Sequence, residues 1–327
     1  MKNIYAFAIL VSMFFFFSSA PLRAANKYSL SLSSSFGILY GHSEEVLYND
    51  DGDDDTYLSE LKWDLKPLYY TGTALDFART DPWERWGFFG GVSLKYGFPS
   101  KSGIMEDRDW MAESGNFLTH YSRHDSYSQG ALLSDISLGL SFPFFDVLLL
   151  KTSIDFSYMY FSWLAQDGFY QYASKDSGGD YLPWTNDIPK KPLSGPGIIY
   201  SQNWFILSPV LAVEVKLSPR FFLDFYVAAT PLTFCASIDE HLKAGFQAQD
   251  FSLWGLSLRE GIGFAFVPKE KFEIRLDWGF RYISGTRGNS YIKETDDNAP
   301  NDYFQNGADG GAGLFALDVG VSAKIRL

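Results

Sequence analysis

The sequence predicts an all-β protein, a ten-stranded antiparallel transmembrane β-barrel with long extracellular loops. Three observations lead there. Apolar and polar residues alternate with period two over many segments, as side chains do along a strand. After the first 25 residues no apolar run approaches the ~20 residues a spanning helix needs, so a membrane fold must be a closed barrel. Connectors alternate between short and long, with turns on one side and loops on the other.

Residues 1–25 read as an export signal, leaving 26–327 as the barrel domain. Lys2 supplies the positive start, "FAILVSMFFFF" (7–17) the apolar core, and "SSAPLRAA" the small residues suited to cleavage near Ala24 or Ala25. Cleavage removes Lys2 and Arg23 and no acid, moving the formal charge from −12 to −14. So acidic a chain is unsuited to holding nucleic acid by charge, and no nucleic-acid partner is expected. Cys235 is the only cysteine, which excludes an intrachain disulfide and a thiolate metal cluster. It lies in an apolar-rich run and reads as a small packing residue.

Ten strands are expected, at 27–41, 57–77, 84–99, 129–143, 147–164, 197–216, 221–237, 248–266, 271–283 and 313–327. The last is the clearest: Leu317, Val319, Val321, Ala323, Ile325 and Leu327 share one face, and Asp318, Gly320, Ser322, Lys324 and Arg326 the other. In "FEIRLDWGFRYI", Phe272, Ile274, Leu276, Trp278, Phe280 and Tyr282 oppose Glu273, Arg275, Asp277, Gly279 and Arg281. Charges of both signs suit a polar interior, and the aromatic-rich face suits lipid. In "ELKWDLKPLYYTGTALDF", Leu61, Trp63, Leu65, Tyr69, Leu75 and Phe77 alternate with Glu60, Lys62, Asp64, Lys66 and Asp76. Glu260 falls in phase with Leu258 and Ile262, which implies either a bulge or an interfacial position.

The long connectors are expected at 42–56, 100–128, 165–196, 238–247 and 284–311, and they hold all four histidines. In "SIDEHLKAG", Asp239 and His241 are two apart and share a side if the segment is extended. A carboxylate beside an imidazole fixes its tautomer and helps it act as a general base. Asp107 and Asp109 in "MEDRDWM" have the same spacing; close carboxylates share a proton and can hold a water. Taken alone, this pair is equally an acidic loop face in company with Glu106 and Glu113. The acidic run 49–55 reads as a solvated loop or an attractor of cations; it lacks the terminal Glu of a calcium-binding loop. In a ten-stranded barrel the second and fourth long connectors rise from nearly opposite walls, so the two motifs can face each other across a cleft.

"MEDRDWM" (105–111), "SRH" (122–124), "DEH" (239–241) and the "GNS…DYFQNGA" pattern of 288–308 resemble the omptin family of outer-membrane proteases. "GHSEEVLY" (41–48) and "LSELKWDLKP" (58–67) extend the resemblance to the first hairpin. It implies an aspartic-type endopeptidase of the bacterial outer membrane, its site facing the exterior, that cuts peptides or proteins near basic residues. The implied catalytic residues are Asp107, Asp109, Asp239 and His241, with water as the nucleophile. Ser122, beside Arg123 and His124, is the alternative nucleophile. Glu45 matches one of two acids that hold the basic side chain, and Ser237 stands where the second is expected. No cofactor or metal is implied; outer-membrane lipid, lipopolysaccharide in particular, is implied as a partner. The exterior basic cluster expected for it has no counterpart in "IDFSYMYFSW", which carries Asp155 and no arginine. The alternatives are a non-catalytic adhesin or receptor and a porin-like barrel.

Overall fold

Once both neighbours of a strand are hydrogen-bonded, its alternating side chains are sorted into lumen and lipid faces, and the sequence pattern becomes a wall. A computed structural model describes residues 27–49, 57–113, 116–295 and 302–327. Residues 1–25, expected to be an export signal, and residues 50–55 of the acidic run lie outside them. Among the described residues there is no helix, and fourteen strands: β1 (Tyr28–Tyr48), β2 (Tyr57–Arg79), β3 (Gly87–Gly97), β4 (Ser100–Asp109), β5 (His120–Pro143), β6 (Leu148–Tyr172), β7 (Lys191–Ser218), β8 (Phe221–Thr230), β9 (Thr233–His241), β10 (Phe246–Leu253), β11 (Ser257–Lys269), β12 (Phe272–Ile283), β13 (Arg287–Glu294) and β14 (Phe304–Arg326). The pairs β3–β4, β8–β9, β10–β11 and β12–β13 are single staves interrupted once, which leaves a ring of ten antiparallel staves. Strand β1 pairs with both β2 and β14, closing the ring.

Short turns at 80–86, 144–147, 219–220 and 270–271 close one end, as expected. At the other end the staves run well past their predicted limits. Much of the expected connector 100–128 is β4 and the start of β5, and 238–247 is a hairpin between β9 and β10. The backbone ladder continues there, but stretches such as "SRHDSYSQ" are polar on both faces, so the period-two signal fades where the strand does not. The outer apolar band ends near Tyr40, Tyr69, Phe205 and Phe251. Above it the outer face turns polar, with Glu44 between His42 at 3.1 Å and Lys62 at 4.0 Å.

One expected face is inverted. Leu61, Trp63 and Leu65 are buried inside the barrel with Leu68 and Tyr70, while Tyr69 and Phe77 stay outside. Between Leu39 and Gly41 of β1 the partner jumps from Leu68 to Leu65, so Lys66 and Pro67 oppose Tyr40 alone. The extra residue of this bulge exchanges inside for outside along the rest of β2. At Glu260 the ladders to β8 and β12 are unbroken, so it is an exposed carboxylate on the outer face and not a bulge.

The lumen is filled in layers. Nearest the short turns, Arg275 pairs with Asp224 at 2.7 Å and Asp277 at 2.5 Å, and Lys151 pairs with Glu214. Next come Arg259 with Asp135 (3.1 Å) and Asp155 (2.5 Å), and Lys95 with Asp318 (2.5 Å). Asp155 thus faces the lumen. Above them lies an aromatic floor. Trp63 stacks on Tyr200 at 5.4 Å, Tyr200 on Trp163 at 5.9 Å, and Trp163 on Phe161 at 5.6 Å. Trp204 is fully buried beside them and donates its indole N–H to Gln202 at 3.0 Å. Cys235 is buried in the same cluster, the packing role expected of it.

Candidate active site

Above the floor, opposite walls present the two acidic motifs. Strand β4 is held between β2 and β5, with Asp107 opposite Leu61 on one side and Ser122 on the other. Buried Met105 anchors the inward phase, so Asp107 and Asp109 follow it into the cleft. Strand β9 is held between β7 and β10, and buried Cys235 sets the phase that turns Ser237, Asp239 and His241 inwards. Both motifs therefore ride on paired strands and not on loops. The same holds for every histidine: His42 lies on β1, His120 and His124 on β5, and His241 on β9.

His241 Nε2 lies 2.5 Å from Asp239 Oδ2, and the ring stacks on Phe246 at 4.3 Å. Burial alone would lower the imidazole pKa; Asp239 first, then Asp107 and Asp109, more than reverse this and raise it. The Asp107 and Asp109 fields reach His241 from the far wall, so the two motifs meet across the cleft. Burial, then repulsion by Asp109, pushes the Asp107 carboxyl well above the usual range, with His241 opposing. Asp109 is raised by burial too, against the pull of a Ser59 hydrogen bond, His120 and His241. Two such acids share a proton more readily than they both ionise.

The Ser122 hydroxyl donates to Asp107 at 3.3 Å and lies 3.1 Å from His124 Nε2. It bridges those two and makes no hydrogen bond to His241. Burial lowers the His124 pKa. Glu45 on β1 is buried on the same cleft, and Ser237 sits one inward position below Asp239. Beside Ser237 is an acid that the sequence reading missed. Asp250 of β10 is paired with Ser237 in register, and the serine hydroxyl donates to it at 3.4 Å. The "LKAG" turn was the available signal. With Gly245 in a left-handed conformation and Phe246 opposite His241, counting back down the hairpin puts position 250 opposite 237. Among the described residues no group of three or more His, Cys, Asp or Glu is arranged to hold a metal ion.

A closed ten-stave barrel with an apolar outer band and an acid–imidazole cleft at its polar rim is an outer-membrane barrel with a built-in site for polar chemistry. Residues 26–324 match the Omptin family, and the chain belongs to it. It is accordingly an outer-membrane protease, a peptide-bond hydrolase acting on peptides or proteins. Among solved structures the chain is similar to the outer membrane protease OmpT from Escherichia coli, at 17% identity and TM-score 0.78, covering 91% of this chain and 97% of that one. The outer membrane protein OprG from Pseudomonas aeruginosa matches at 10% identity and TM-score 0.39, covering 92% and 97%. No curated protein matches.

Proposed function

We propose that this protease is a cell-surface endopeptidase that cuts near basic residues, its cleft facing the exterior, and that residues 1–25 are removed on export. Water is the nucleophile. Neutral His241 takes the water proton as it attacks the scissile carbonyl, and Asp239 orients the ring and stabilises the imidazolium. Asp107 and Asp109, sharing a proton, hold the water and donate a hydrogen bond to the developing oxyanion. The imidazolium then protonates the leaving amine as the C–N bond breaks. The convergence of the two couples from opposite walls carries this reading, since neither side alone can both activate water and stabilise the intermediate. Glu45 and Ser237 line the recognition end of the cleft; burial, then repulsion by Asp239 and Asp250, pushes the Glu45 carboxyl well above the usual range, so its ionised form is favoured when a cationic segment docks beside it.

The test is peptide turnover by the refolded protein with lipopolysaccharide present, the lipid the family resemblance implies. Arg- or Lys-containing peptides should be cut, and Asp107→Ala or His241→Ala should each lower kcat by ~10²–10⁴-fold. Normal turnover by both variants sinks the mechanism. Absence of turnover with intact binding of host proteins would favour the receptor reading. The porin reading is disfavoured by the ion pairs and aromatic floor that fill the lumen.

A further inference from the structure

Ser237 raises a question of charge. If the cleft binds a cationic side chain, the wall at β9 supplies only a hydroxyl where a carboxylate is expected. The neighbouring strand supplies the missing group. Asp250 is 5% exposed and Glu45 7%, and each has one buried carboxyl oxygen with no hydrogen-bond partner among the described residues. Neither belongs to an ion pair among those residues, although Lys and Arg neutralise most acids of the layers beneath. Desolvated carboxylates with no counter-charge are costly unless something cationic completes them.

The two acids also converge. The Asp250 charge acts on Glu45, and both act on the Tyr200 hydroxyl and the Cys235 thiol of the floor. Backbone packing explains the approach. Gly310 of β14 has no side chain where a Cβ would stand 2.3 Å from the Asp250 carboxyl carbon. Two residues further along β14, Ala312 is the ladder partner of Glu45. The missing side chain at 310 therefore lets Asp250 lie over β14, towards the strand that bears Glu45. Burial, opposed by the Ser290 and Ser237 hydroxyls and aided by repulsion from Asp239, raises the Asp250 carboxyl to about 6, as fits an acid lacking a cation.

We propose that Asp250, with Glu45, forms a two-carboxylate pocket that binds the guanidinium or ammonium of the substrate's basic side chain, the charge that Ser237 lacks having moved one strand across the hairpin. This rests on the endopeptidase reading for its turnover assay but not for its binding assay. The Ser237–Asp250 hydrogen bond fixes the carboxylate's direction, so Asp250 is a specificity-determining residue and Ser237 its positioning residue.

Two measurements test it. In the first, matched peptides carry arginine or its neutral isostere citrulline at the cleavage position. The wild-type preference for arginine, as a ratio of kcat/KM, should fall ~10-fold or more in Asp250→Asn. It should return in the exchanged double variant Ser237→Asp/Asp250→Ser. An unchanged ratio in Asp250→Asn overturns the proposal, as does an exchange that leaves the ratio at the Asp250→Asn value. The second is calorimetric binding of benzamidine to the refolded barrel, which needs no turnover. Weaker binding by Asp250→Asn and by Glu45→Gln supports the pocket, and wild-type binding by both overturns it. If the protein binds benzamidine through these acids but cuts nothing, the catalytic reading fails and the pocket stands.

Discussion

At His241 burial and charge pull in opposite directions, and the charges win. The raised pKa means the neutral imidazole, the form able to accept a proton, is reached only above the ordinary range near ~6.5. Activity should therefore fall as pH drops through that raised value. Asp239→Asn removes the largest raising contribution, so the acid limb of kcat should move to lower pH while the plateau falls; a limb that stays in place would refute the assignment. Stability runs the other way. A histidine whose folded pKa is raised contributes stability fully present below its unfolded value of ~6.5, and this is lost as pH rises through the folded pKa. On the proposed mechanism the site is thus most active where His241 contributes least to holding the barrel together.

At the scale of the element, the bulge at Lys66–Pro67 decides what the cleft stands on. It sends Trp63 inwards to stack on Tyr200, and it turns Lys62 outwards towards Glu44. Trp63→Ala should destabilise the protein by about 3–5 kcal/mol, as deletion of a fully buried tryptophan does, measurable as a lower unfolding midpoint in detergent. The inversion was illegible in "ELKWDLKP", because a bulge is a relation between two strands and alternation within one strand continues through it. The staves at 272–283 and 313–327 were legible because one face meets lipid and the other an ionic lumen, the sharpest contrast a strand can carry. Asp107, Asp109, Asp239 and His241 were legible as same-side pairs. Their setting on strands was not, since both faces of β4 and β9 are partly polar above the membrane. Asp250 stayed hidden because its meaning lies in hairpin register and not in neighbouring letters.

For the whole molecule, the lumen matters as much as the rim. Arg259 binds Asp135 and Asp155 together, so Arg259→Ala leaves Asp155 without its counter-charge and Asp135 with Arg281 alone, at 3.8 Å, and should cost about 3–5 kcal/mol. Heat-dependent mobility of the folded barrel on gels would register the loss. The same packing predicts no measurable single-channel conductance for the wild-type barrel in planar bilayers, and steady open-channel current would contradict the layered lumen. Export processing is checked by the mass of the mature N-terminus, expected to begin near Ala25 or Asn26. The extension of the staves beyond the apolar band has a further consequence. On β1 the strand continues from Gly41 to Tyr48 after Tyr40, a path of ~25 Å that a tilt of ~45° reduces to a height of ~18 Å. Asp109 and His241 are the last residues of β4 and β9, so the candidate cleft stands at the top of this rise and clear of the lipid headgroups. On the proposed reading, the chain to be cut is met in the water above the headgroup layer, out of reach of peptides lying flat on the membrane.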